Sequence, residues 1–124
     1  MAQKDIGNKV PIYKLKTTDE VMKFYDDWGI ENKYDQDMVD WKYSGPQETV
    51  EVFKKYAKDK KIRIYDAGCG TGLVGVELKK YEYNNFDGVD LSQKLLDLVP
   101  NNLYKNLSKV NLNKFINIKN DTYD

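Results

Sequence analysis

The chain has 124 residues carrying 20 basic and 20 acidic side chains, enough for one domain with one core, and the balanced charge gives no basic surface for nucleic-acid phosphates. It contains no His and a single Cys, Cys69, which removes a His-based catalytic triad, a zinc centre and any internal disulfide. No run approaches the ~18 consecutive apolar residues of a membrane span, and the N-terminus lacks a signal-peptide pattern, so the expected address is cytoplasmic with no membrane partner.

Residues 1–16 hold Gly7 and Pro11 without a sustained apolar period and read as a loose N-terminal arm. Order begins at Thr17, which with Glu20 fits a capping box, and Val21, Phe24, Tyr25 and Trp28 follow at helical spacing up to Gly29. A second short helical or turn segment runs from Tyr34 to Trp41. Gly45-Pro46 then opens a further helix, because Pro is tolerated where its missing N–H is not needed, and Val50, Phe53 and Ala57 give that helix one apolar face. Residues 17–60 thus form a helical entry segment.

From Lys61 the period changes. Ile62 and Ile64 alternate in a short β-branched run that ends in Asp66 and a glycine cluster, predicting strand, tight turn and helix. Leu73, Val74, Val76 and Leu78 populate that helix to about Tyr81, and Phe86 to Asp90 read as a second strand. Ser92 caps a third helix with Leu95, Leu96 and Val99, which Pro100 stops. The βαβ unit implies parallel strands. Two placements compete for a third strand, Leu107 to Leu112 or Phe115 to Lys119.

A strand that passes through glycines into a helix brings backbone close to a ligand. Gly70, Thr71, Gly72, Leu73, Val74 and Gly75 match the G-x-G-x-x-G dinucleotide pattern, with Asp90 placed 18 residues beyond Gly72 where a ribose-binding acid falls. The register opposes a dinucleotide, since Asp66-Ala67-Gly68-Cys69 stands between the strand and that pattern and a strand-end acid repels a pyrophosphate. A cationic sulfonium reverses the preference. Cys69, inside the loop, reads as a small buried filler rather than a reactive thiol.

Asp66-Ala67-Gly68-Cys69-Gly70-Thr71-Gly72 resembles motif I of class I S-adenosylmethionine-dependent methyltransferases, and Gly88-Val89-Asp90-Leu91-Ser92 resembles the motif after it. Phe24-Tyr25-Asp26-Asp27-Trp28, Tyr34-Asp35-Gln36-Asp37 and Tyr43-Ser44-Gly45-Pro46 look like the entry segment of the methyltransferase-like family named for the Williams-Beuren chromosomal region. The resemblance spans roughly residues 20–124. It implies a Rossmann-like α/β fold with N-terminal helices, a cofactor-binding half over 61–124, and a partial parallel sheet of strands 3-2-1 out of the family's order 3-2-1-4-5-7-6.

It further implies S-adenosyl-L-methionine as cofactor. Gly68, Gly70 and Gly72 would approach its methionine part, Asp66 would shape the loop and the charge near the amine, and Asp90 would bind both ribose hydroxyls with Leu91 beside it. Tyr104 to Leu107, then Val110 to Leu112, resemble the family's approach to its third strand, which places Asn111 where an acid usually reads the adenine amino group. Tyr25 and Tyr34 are the nominated aromatic contacts, through cation–π attraction or a hydroxyl. The same aromatic face also fits a plain helix core, and the two readings stand side by side.

Asn120 to Asp124 resemble the turn that opens the family's fourth strand, so the expectation is a C-terminally truncated methyltransferase, its first strand an exposed edge open to a pairing partner. Methyl transfer is a direct displacement that alignment and desolvation catalyse, so the lack of His is no objection and no catalytic base is nominated. The acceptor, a small molecule or a protein, is unassigned. Three alternatives remain: a non-catalytic interaction module, an NAD(P)-binding half-domain, and an incomplete gene product.

Overall fold

The structure, a computed structural model, describes residues 14–114 and 116–124. Most of the expected arm, and Phe115 of the second third-strand placement, lie outside the described residues. Helix α1 spans Thr18–Trp28 and starts on the anticipated capping box: the Thr17 side chain accepts from the Glu20 N–H while the Glu20 carboxylate accepts from the Thr17 N–H. A 3-10 turn, Ile30–Asn32, leads into α2, Lys33–Asp40, and α3 is Gly45–Tyr56 with Pro46 in its first turn.

Strand β1 (Ile64–Ala67), helix α4 (Leu73–Lys80), strand β2 (Phe86–Asp90), helix α5 (Gln93–Asp97) and strand β3 (Leu107–Lys109) follow. The three strands form one parallel sheet in the order β1-β2-β3, in the register Asp66↔Gly88 and Ala67↔Val89, then Val89↔Ser108 and Asp90↔Lys109. The fold is therefore α/β with a parallel sheet. Of the two third-strand placements the first one forms, three residues long, while 116–119 carry no strand. Helix α5 ends at Asp97, short of Val99. Its Ser92 cap forms as the sequence indicates, the hydroxyl accepting from the Leu95 N–H at 3.2 Å.

Side chains alternate across the sheet, so Ile64, Asp66, Phe86 and Gly88 share one face and Tyr65 and Asp87 the other. Against the first face pack Val50 of α3, Leu78 of α4, Tyr83, Leu96, Val99 and Tyr104, with Cys69 of the loop, and these form the core. Tyr83 is fully buried, edge-on to Phe53, and its hydroxyl donates to the Ala57 carbonyl. On the second face Tyr123 packs against Tyr65 at 4.8 Å between ring centroids and donates to the Asp87 carboxylate at 2.7 Å.

Strand β1 is an edge of the sheet. Just before it the Asp124 N–H donates to the Arg63 carbonyl at 2.8 Å, and the Arg63 N–H and guanidinium donate back to the Asp124 carboxylate. Among the described residues no helix is long and apolar enough to cross a membrane.

A candidate cofactor cleft at the carboxyl ends of the strands

Parallel strands bring all their carboxyl ends to one edge, and there the chain opens a cleft of about 290 Å³. Gly68 and Gly70 follow β1, Asp90 ends β2 with Leu91 just after it, and Val110 and Asn111 follow β3; all six line it. Tyr25 of α1 and Tyr34 of α2 form the opposite wall. Asp66 and Gly72, the other two nominated residues, do not line it. Asp66 shares the Tyr104 hydroxyl beneath the loop, and Gly72 serves as N-cap of α4 at φ +91, facing Leu103, Tyr104 and Val99.

The loop is held by its own amides. The Gly68 and Cys69 N–H groups both donate to the Val89 carbonyl, at 2.8 and 2.9 Å, and the Gly72 N–H donates to the Cys69 carbonyl at 2.9 Å. The Gly70 N–H donates to Asp90 Oδ2 at 2.8 Å, while Asp90 Oδ1 accepts from the Ser92 N–H at 2.9 Å. Asp90 thus braces the glycine loop against the start of α5 and keeps further lone pairs for hydroxyl donors in the cleft. Asn111 is partly engaged too, its side-chain oxygen accepting from the Asn113 N–H at 3.0 Å.

Among the described residues no Lys or Arg lines this cleft. Its charge comes from Asp90 and its apolar surface from Val21, Leu91, Leu95, Val110, Leu112 and the two tyrosine rings. Tyr34 sits 4.7 Å from Trp28 and 6.5 Å from Tyr25 between ring centroids, and burial, then the neighbouring Tyr25, pushes its hydroxyl up to about 12, so it stays a donor at neutral pH. Helix α1 has no fully buried residue. Its aromatic face is half-buried and does two jobs: Trp28 packs on Trp41 and donates to Asp37 at 2.7 Å, while Tyr25 reaches the cleft. Behind the loop a smaller hollow of about 130 Å³ continues from Tyr34, Gly68 and Gly70 toward Tyr43 and Thr49.

Two acids that carried no site role in the sequence hold the entry segment in place. Asp26 accepts from the fully buried Ser92 hydroxyl, and Asp35 accepts from the Thr71 hydroxyl at 2.5 Å. Each ties one helix of the entry segment to the N-terminal end of a helix of the βαβ unit, where negative charge is favoured. Their sequence signal is faint, since an acid beside an aromatic is common on any amphipathic helix. Cys69 is buried, and burial followed by the Asp66 charge pushes its thiol up to about 12, which suits a filler and not a nucleophile. Among the described residues no cluster of His, Cys, Asp and Glu is arranged to hold a metal ion.

A scan against protein-family models finds no match to this chain, and a search of curated proteins finds none either. The fold and the cleft define an α/β protein with a parallel sheet and a ligand-sized opening at the carboxyl ends of its strands.

Proposed function

We propose that the chain is the cofactor-binding half of a class I S-adenosylmethionine-dependent methyltransferase, with the ribose at Asp90, the adenine toward Asn111 and Leu91, and the methionine part over Gly68 and Gly70. One observation carries this reading: the amides of Gly68, Cys69, Gly70 and Gly72 all have partners within the chain, the Val89 carbonyl, the Asp90 carboxylate and the Cys69 carbonyl, and among the described residues no basic side chain lines the cleft. A dinucleotide needs free N–H groups for its pyrophosphate. A ligand that is cationic and free of phosphate needs acceptors and aromatic faces, and those are what the walls offer.

Such a cofactor supplies an electrophilic methyl group when bound. The residues of the chain bind and orient it. Tyr25 and Tyr34 offer ring faces to the sulfonium, the kind of contact that strengthens as water is excluded. Asp90 accepts from the ribose hydroxyls while bracing the loop, so one side chain couples ligand contact to loop shape. The acceptor meets the methyl group from outside these walls, and no residue here is assigned to it.

Isothermal titration of the chain with S-adenosylmethionine, S-adenosylhomocysteine and NADH tests the reading. The first two bind at one site per chain, NADH does not, and Asp90→Ala abolishes the heat. Binding of NADH by a chain that ignores both sulfur ligands would overturn the assignment.

A further inference from the structure

Tyr104 lies outside the cleft, yet three glycines are arranged around its ring. A Cβ built on Gly75 would stand 2.7 Å from the Tyr104 hydroxyl, one on Gly88 2.7 Å from the ring edge, and one on Gly72 3.3 Å from it. Real Cβ atoms do not approach that closely, so a side chain at either of the first two positions would force the ring or the backbone to shift. Phe86 packs edge-on against it, with ring centroids 5.0 Å apart and planes at 87°. The residue is 8% exposed. Its hydroxyl donates to Asp66 Oδ2 at 2.6 Å.

Asp66 is the penultimate residue of β1, just before the glycine loop, and faces the core side of the sheet, paired with Gly88. A half-buried carboxylate in that position has lost much of its hydration, and the Tyr104 hydroxyl replaces part of it. Among the described residues the ionisable groups facing it are Tyr104, Asp90 at the end of β2, and Cys69 in the loop; none of these carries a positive charge.

We propose that Tyr104 is the positioning residue of the glycine loop: its ring sets the packing of β2 and α4 under the loop, and its hydroxyl holds the Asp66 carboxylate in place and in charge. Through Asp66 it sets the affinity and the acid limit of binding for a cationic cofactor, without touching it. The inference rests on the S-adenosylmethionine reading for its ligand and on geometry for the rest.

Burial pushes Asp66 above the ordinary carboxylate range, the Tyr104 hydroxyl pulls it back down, and the Asp90 charge adds to the rise. Tyr104→Phe keeps the ring and removes the hydroxyl, and with it that restraint, so the Asp66 titration midpoint moves further up. As pH falls, Asp66 takes its proton earlier in the variant and the attraction for a cation goes with it.

The test follows the Asp66 side-chain carboxyl by carbon-13 NMR against pH in the ligand-free chain, and the Kd of S-adenosylmethionine against pH by titration calorimetry. In Tyr104→Phe the midpoint rises and binding at neutral pH weakens about tenfold, the loss of roughly one hydrogen bond to a charged group. The loss steepens toward acid pH. Asp66→Asn retains an acceptor for the hydroxyl but no charge; it weakens binding and flattens the pH dependence, and it reads the same link if the first variant fails to fold. Wild-type affinity across the pH range in both variants, or an unmoved Asp66 midpoint in Tyr104→Phe, overturns the proposal. If the wild-type chain binds no S-adenosylmethionine, the functional reading fails by itself, and the Asp66 midpoint still decides whether Tyr104 holds that carboxylate.

Discussion

Gly75→Ala sets two physical effects against each other within one helix. Gly75 lies inside α4 without positive φ, and an interior helix glycine replaced by alanine gains about 1 kcal/mol from backbone entropy alone. Against that, the new methyl carbon would sit 2.7 Å from the Tyr104 hydroxyl and 2.8 Å from its ring carbon, well inside contact distance. Tyr104 is held by Phe86 and Asp66, so relief requires α4 to move off β2, an overpacking cost of about 1–3 kcal/mol. Taking the upper half of that range, the net is a loss of about 1 kcal/mol, or roughly 4 °C in Tm for a domain of this size. Thermal unfolding followed by circular dichroism measures it. The same substitution in the Tyr104→Phe background loses less, because the closest clashing atom is gone, and the difference is the coupling energy of the pair. Gly68→Ala is the control, since a Cβ there meets nothing within 4 Å and only its φ of +74 opposes the change; its cost does not alter with Tyr104→Phe. A rise in Tm for Gly75→Ala, or an identical cost in both backgrounds, refutes the packing account.

Asp90→Ala orphans the Gly70 and Ser92 amides together, which costs about 1–3 kcal/mol in stability besides the loss of ligand binding; Asp90→Asn keeps one acceptor and falls between, as urea unfolding would register. Asp35→Ala frees Thr71 and loosens the entry segment, so hydrogen exchange in α2 accelerates while the amides of β2 keep their protection. The Arg63 hydrogen bonds hold the Asp124 carboxyl down at about 2, against an ordinary value of 3.8. A depressed acid contributes stability above its ordinary value and loses it as pH falls through the folded one. The Tyr123 ring resonances therefore shift below pH 3.8 toward about 2, and Asp124→Asn removes that transition; a Tyr123 spectrum unchanged over this window would contradict the tie.

Local chemistry was enough for much of this protein. The capping box at Thr17 and Glu20, Pro46 in the first turn of α3, the glycine break after β1 and the Ser92 cap all act within four residues of themselves, so they are readable along the chain. Alternation of Ile62 and Ile64 pointed to β1, the short run Phe86 to Asp90 read as β2, and the intervening helix made them parallel, which placed Gly68, Gly70 and Asp90 at one edge of a sheet.

What spacing along the chain does not carry is contact across it. Asp26 and Ser92 are 66 residues apart, Asp35 and Thr71 are 36, and Asp66 and Tyr104 are 38. Only the folded chain decides those partners, because a carboxylate has no periodic signature and its choice among hydroxyls depends on which helix start the tertiary packing delivers. For the same reason the glycine pattern read two ways in one dimension. In three, Gly68 and Gly70 line the cleft, while Gly72, Gly75 and Gly88 make room for the Tyr104 ring.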